Sequence, residues 1–199
     1  MGERKYDWMH DHADPTPGEE PVRTRSGTMR RVPVRSVLEH PDPGLSRPSV
    51  EVDPRDPRIA AIAESLVETM RVSPACIGLA APQIGENVRL FAVDVTGHKK
   101  ARSCAGLVVM ANPRVVEAAG NVVMREGCMS VPQYTGDVAR AQTVIVTGVV
   151  PGSGRPIQIE ADAMEARCIL HEIDHLDGVL FVDRVRDPVT QLFRRKTYA

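Results

Sequence analysis

Apolar side chains at Ile59, Ile62, Leu66 and Met70 recur at three- and four-residue spacing. That stripe predicts an amphipathic α-helix with one face on a core. Asp56 suits its N-cap, and Pro57 suits the first helical position, where a backbone N–H is not needed. The helix is expected to end before Pro74. From Val88 to about Ile159 the pattern changes to short runs rich in β-branched residues, with Val88–Val95, Leu107–Met110, Asn121–Met124, Ala139–Val150 and Pro156–Glu160 read as strands. Turn signals at Thr96-Gly97, Asn112-Pro113, Ala119-Gly120 and Pro151-Gly152 divide them. A second long helix is expected from Asp162, where Asp162-Ala-Met-Glu165 resembles a capping box, through His175 to a stop near Asp177-Gly178. A short last helix is expected at Asp187-Pro188. Helices flanking a run of strands make the chain α+β.

Residues 1–31 break this pattern. They hold six acidic and six basic side chains and no apolar period, and read as a flexible tail that buries too little to offset its ordering entropy. His10 and His12 within it read as solvated. Val32–Pro54 carries five prolines and reads as extended chain and turns. The remainder, 32–199, has the length of one domain.

Composition narrows the function. The 199 residues carry a formal net charge of -1, which disfavours a partner held mainly by charge, such as duplex DNA. No apolar run is long enough for a membrane helix. The first residues lack a signal-peptide core, and Tyr6 spoils a myristoylation reading of Gly2. A cytoplasmic location is the expectation. Cys76, Cys104, Cys128 and Cys168 form no CxxC pair and read as free thiols or metal ligands rather than disulfides.

The chemistry concentrates at His171-Glu-Ile-Asp-His175-Leu-Asp-Gly178. Four helical residues turn the chain by about 400°, so His171 and His175 leave one face a turn apart and can hold one ion. Glu172, beside a ligand, can move a proton on water at that ion. Two histidines leave a catalytic site one protein ligand short. Downstream of His175 there is no further His or Glu, only Asp183 and Asp187 among the candidates. Upstream, Glu126-Gly127-Cys128-Met129-Ser130 offers a thiolate next to a glycine, a good ligand for zinc or ferrous iron. Cys76-Ile-Gly78-Leu-Ala-Ala-Pro-Gln83-Ile-Gly85 adds small residues and the Gln83 amide, although it also reads as a tight loop after the first helix.

Taken in order, GLAAPQIG at 78–85, EGCMS at 126–130 and HEIDHLDG at 171–178 resemble the three signature motifs of the peptide deformylases. The resemblance extends over about Val34 to Val185. It implies small antiparallel or mixed sheets around a central metal-binding helix, in one catalytic domain. It also implies removal of the N-formyl group from the initiator methionine of nascent chains, with release of formate. The metal would be held by Cys128, His171 and His175, ferrous iron in most of the family, with zinc, nickel or cobalt able to replace it. Glu172 would be the acid/base, and Gln83 with the backbone N–H of Met129 would hold the oxyanion. Substrate contacts would include Gly78, Ile77, Glu126 and Gly127, with Met124, Met164 and Cys168 lining the methionine pocket; ordinary core packing is the alternative for Met124 and Met164.

Three residues depart from the family pattern: Cys76 for a glycine, Met129 for a leucine, and Leu170 for a glutamine before the first histidine. The basic Phe193-Arg-Arg-Lys196 reads as solubilising, with ribosomal RNA as an alternative contact. A metallopeptidase and a non-catalytic metal-binding relative stand as competing functions.

Overall fold

The computed structural model describes residues 32–195. The expected tail at 1–31 and Lys196 lie outside them. The first helix, α1 (Pro57–Val72), is built as its pattern requires. Asp56 caps it through a hydrogen bond from Arg58 N–H, Pro57 opens it, and Ile59, Ile62, Leu66 and Met70 are all buried.

Eight strands follow the order β1 (Gly78–Ala80), β2 (Leu90–Val93), β3 (Val108–Ala119), β4 (Val122–Cys128), β5 (Val131–Arg140), β6 (Thr143–Val149), β7 (Pro156–Asp162) and β8 (Leu192–Arg194). They make a five-stranded sheet, β1-β2-β3-β6-β7, and a three-stranded sheet, β4-β5-β8, with antiparallel pairing throughout. The second helix, α2 (Ala163–Leu176), and the four-residue α3 (Pro188–Gln191) complete the fold.

Alternate side chains of β2 explain why all four of its residues are buried. Leu90 and Ala92 join the cluster packed on α1, whereas Phe91 and Val93 join the cluster packed on α2. Successive strand residues face opposite sides, so a strand covered on both faces must be apolar throughout. A third, smaller cluster under the three-stranded sheet holds Leu45, Cys128, Val131, Val138, Leu180, Phe181 and Val185.

Three expectations are corrected. Asn112-Pro113 does not end a strand: β3 continues through it with a register shift. Asn112 adopts φ 50°, and its amide pairs with both backbone groups of Val52, at 3.0 and 2.8 Å, so the side chain substitutes for a neighbouring strand. The run Ala139–Val150 is split between β5 and β6. The first part of β5 has a weak propensity pattern, with Pro132 and Gly136, and exists through its pairing with β4 and β8. Gly136 is required there, because a Cβ would lie 2.8 Å from Val185 and 3.0 Å from Phe181.

The capping box at α2 does not form. Asp162 instead accepts from the backbone N–H of Ser103 at 2.8 Å, and Glu165 accepts from that of Ala105 at 2.7 Å. Both acids tie down the loop between β2 and β3. The short helix expected at Asp187-Pro188 forms, capped by Asp187, and after one turn the chain becomes β8, which bonds to β5.

Replacing Leu66, fully buried in the α1 cluster, by alanine is expected to cost about 2–5 kcal/mol. A lower urea midpoint with an unchanged slope would show it.

Candidate active site

Three elements converge at the site. β4 ends at Cys128, α2 carries His171, Glu172 and His175, and β1 leads into the tight turn Ala81–Ile84 that holds Gln83. One potential ligand atom each from Cys128, His171 and His175 lies within 4.8 Å of the others. Cys128 Sγ is 3.2 Å from His175 Nε2, and the two imidazole centroids are 5.0 Å apart, edge to face. The Phe181 ring stacks near His171 at 6.4 Å.

The protein arranges these groups before any ion is considered. His171 Nδ1 is 3.0 Å from Glu126 Oε2, which leaves Nε2 to face Cys128 and His175. A histidine ligand is commonly oriented through its other nitrogen in this way. Burial opposes ionisation of Cys128, but the two imidazoles outweigh it and hold the thiol well below its usual value. Burial likewise disfavours a charged His171, and the Cys128 and Glu126 hydrogen bonds overcome it, raising its pKa well above the ordinary range. A buried thiolate between two imidazoles is a donor set for a borderline divalent cation.

Glu172 lies beside the cluster with little access to solvent. Burial pushes its carboxyl up to about 7, against the pull of the two histidines. Its Oε2 and His175 Nδ1 are buried atoms without a hydrogen-bond partner. A buried carboxyl oxygen left unpartnered beside a ligand cluster fits a site completed by a cation and its water. Gly78 makes room for it: a Cβ there would come 2.5 Å from Glu172 Oε1 and 2.6 Å from Cys168 Sγ.

Gln83 is clamped at both ends. Its Oε1 accepts from Ala80 N–H at 2.8 Å, while Nε2 donates to Ser130 Oγ at 3.1 Å and lies 3.5 Å from Cys128 Sγ. Met129 occupies the turn between β4 and β5, immediately after Cys128.

Glu126, expected as a substrate contact, has its carboxylate held by protein groups. It is buried behind His171, where Oε1 accepts from Arg140 Nε at 2.6 Å and from Arg167, and Oε2 accepts from Arg140 Nη2 at 2.9 Å. Burial alone would raise its pKa, but hydrogen bonds from His171 and Arg140 hold it down at about 2. Arg140 also reaches Asp174 at 2.7 Å, and Asp174 is bound by Arg184.

Arg140, Arg167 and Asp174 were not singled out from the sequence. One signal was available: Arg167 precedes His171 by four residues, the spacing that aligns His171 with His175.

Cys168 is buried, its thiol donating to Ile77 O at 3.3 Å, and Ile77 and Met164 pack on the α2 cluster. Met124 lines a cleft with Arg167, Ala101 and Ala141, and both alanines pack on the same α2 cluster. Gly127 is covered by the Arg195 guanidinium, into which a Cβ would project. Cys76, with its thiol pushed up to about 12 mainly by burial, donates to Gly78 O at 3.1 Å. Leu170 packs on the α2 cluster. All four cysteines are free, as expected.

Comparison with known proteins agrees with this geometry. Residues 34–191 match the model of the family described as polypeptide deformylase. The chain is 34% identical over 163 residues to a peptide deformylase of Thermodesulfovibrio yellowstonii, covering 82% of this chain and 96% of that one. It is 39% identical over 154 residues to a peptide deformylase of Halothermothrix orenii, with 77% and 95% covered. Among solved structures, a peptide deformylase from Legionella pneumophila superposes with a TM-score of 0.70 at 35% identity, covering 79% of this chain and 88% of that one. The ordered motifs, the Cys-His-His cluster and these similarities together place the chain in the polypeptide deformylase family.

Proposed function

We propose that Glu172 carries the proton when this chain releases formate from formyl-methionine peptides, at a divalent ion held by Cys128, His171 and His175. As a member of the family, the chain is a hydrolase that takes the formyl group from the amino terminus of nascent polypeptides. The observation that carries the residue assignment is the buried Glu172 carboxyl, unpartnered at Oε2 and adjacent to the only cluster of three such ligands among the described residues.

Cys128, His171 and His175 would hold the ion, which would supply Lewis-acid chemistry toward water and the formyl group. Glu172 accepts the proton of the attacking water and delivers it to the departing amine nitrogen; a carboxyl near neutrality suits both transfers. Gln83 Nε2 and the Met129 N–H are the assigned oxyanion donors. The clamp at Ala80 and Ser130 supports Gln83 in this role, since a donor fixed in advance needs no reorganisation during the reaction. The Cys76 thiol on Gly78 O competes with any backbone donor that the substrate would bring there.

We assign ferrous iron as the native ion, with zinc, nickel and cobalt as substitutes, because a thiolate with two imidazoles suits all four. We also place α2 at the centre of the domain, supported by its packing on the five-stranded sheet and its ion pair with β4. The proposed location is the cytoplasm, where nascent chains emerge; among the described residues no helix is long and apolar enough to cross a membrane. Within the basic C-terminal segment, Phe193 lies beneath the Arg125 guanidinium at 3.5 Å, a contact internal to the chain. A ribosome contact at this segment has no support beyond its charge.

Three measurements test the assignment. Glu172→Gln should lower formate release from formyl-Met-Ala-Ser by about 10²–10⁴-fold while metal content stays stoichiometric. Retention of the rate would remove Glu172 from the mechanism. Glu126→Gln should weaken metal binding about 10–100-fold in chelator competition, because His171 loses its charged partner. Arg140→Met leaves Glu126 and Asp174 short of a buried cation and should cost about 3–5 kcal/mol in chemical denaturation.

A further inference from the structure

The outer face of the three-stranded sheet carries a cation that the fold leaves uncommitted. Along β4, Glu126 and Cys128 meet side chains of α2, so Val123, Arg125 and Gly127 face the other way. Strand pairing sets their neighbours on that outer face: Arg125 lies opposite Asp137, Gly127 opposite Thr135, and Thr135 opposite Phe193. Arg125 is engaged there. Its guanidinium binds Asp137 at 2.7 Å and lies over the Phe193 ring at 3.5 Å.

Arg195, just past β8, differs. Its backbone N–H donates to Gln133 O at 2.8 Å, which anchors it beside β5. Because β5 lies between β8 and β4, the side chain crosses β5 and ends on Gly127. A Cβ at Gly127 would stand 3.5 Å from the guanidinium carbon, closer still to Nη2, and 3.4 Å from the Thr135 methyl. Gly127 is not among the glycines with positive φ. Its missing Cβ therefore provides room, and the guanidinium takes that room. Arg195 is exposed, and among the described residues its side chain has no hydrogen-bond or ion-pair partner. Asp137, on the same face, is already held by Arg125.

Gly127 immediately precedes Cys128 of the ligand cluster. A peptide whose formyl group reacts at that cluster and whose backbone runs along Gly127 passes the guanidinium early in its course. An extended chain advances about 3.3 Å per residue, so the contact falls within roughly three residues of the methionine. We propose that Arg195 is a specificity-determining residue whose guanidinium pairs with a carboxylate on that stretch of the substrate. The inference rests on the deformylase reading of the site. The carboxylate comes from an aspartate or glutamate side chain or, in a short peptide, from the chain end; the fork of donors matches either. One exposed pair contributes a preference of about two- to fivefold, weakened by salt.

The test uses the full chain, loaded anaerobically with nickel. Formate release is followed for formyl-Met-Ala-Ser as free acid and as amide, and for amidated formyl-Met tripeptides with glutamate or glutamine at either later position. The carboxylate form should be favoured about two- to fivefold, through KM rather than kcat, and the ratio should approach one at high salt. Arg195→Met should abolish the ratio, and Arg195→Lys should keep part of it. Arg194→Met removes the same charge from the opposite face of β8 and should leave the ratio as in the unaltered chain. A gain for the free acid alone supports the contact and assigns it to chain ends; a gain for glutamate assigns it to side chains. No preference in the unaltered chain, a ratio that survives Arg195→Met, or a ratio lowered as much by Arg194→Met overturns the proposal. So does a loss of rate in Arg195→Met that is equal for charged and neutral peptides. If no peptide yields formate, the deformylase reading fails, and calorimetry with Met-Ala-Ser acid and amide decides the contact separately. Equal affinities overturn it, and tighter binding of the acid that Arg195→Met removes supports it.

Discussion

The carboxylate of Glu126 is the point on which the site depends. From β4 it binds Arg140 of β5, Arg167 of α2 and His171 of the Cys-His-His cluster. Glu126, Arg140 and Arg167 are buried, and each of these charges would be costly alone. Satisfied together, they fix the register between the three-stranded sheet and α2. The same contact sets which nitrogen of His171 is available, so the interaction that joins the sheet to the helix also prepares the ligand. Asp174 extends the arrangement by joining Arg140 to Arg184.

Around this anchor the helix α2 uses two faces for different ends. Ala166, Ile169, Ile173 and Leu176 pack against Phe91, Val108, Met110 and their neighbours. The opposite row, from Ala163 to His175, faces β4 and holds only polar or small groups. A helix with both faces engaged is held rigidly, which suits a site whose three ligand atoms must stay within a few ångströms. The glycine at 78 has the complementary task of letting β1 approach the same helix closely enough to enclose Glu172.

Enclosure and electrostatics act together here. Glu172 and Cys128 are both buried, yet their ionisation is driven in opposite directions, because the imidazoles contact the thiol directly while the carboxyl answers mainly to desolvation. One donor is thereby kept ionised for a cation, and the neighbouring carboxyl is kept near neutrality. Environment assigns different roles to two acidic groups a few ångströms apart.

Much of this was legible in the residues. The stripe at 59–70 and the Asp-Pro start specify α1, because helical periodicity and capping are local properties. The HEIDH spacing placed two ligands on one helical face, and the order of three motifs identified the thiolate and the family. Tertiary structure alone decided the rest. Asp162 and Glu165 look like a capping box, but the loop backbone offered better-placed donors. Asn112-Pro113 looks like a turn, but the Asn112 amide pairs with Val52 and the strand continues. Glu126 reads as one motif residue among five until Arg140 and Arg167, distant in sequence, reach it. Local preference is written in neighbouring residues, whereas the partner of a buried charge depends on which strands and helices come to lie against it, and that is set only when the chain closes on itself.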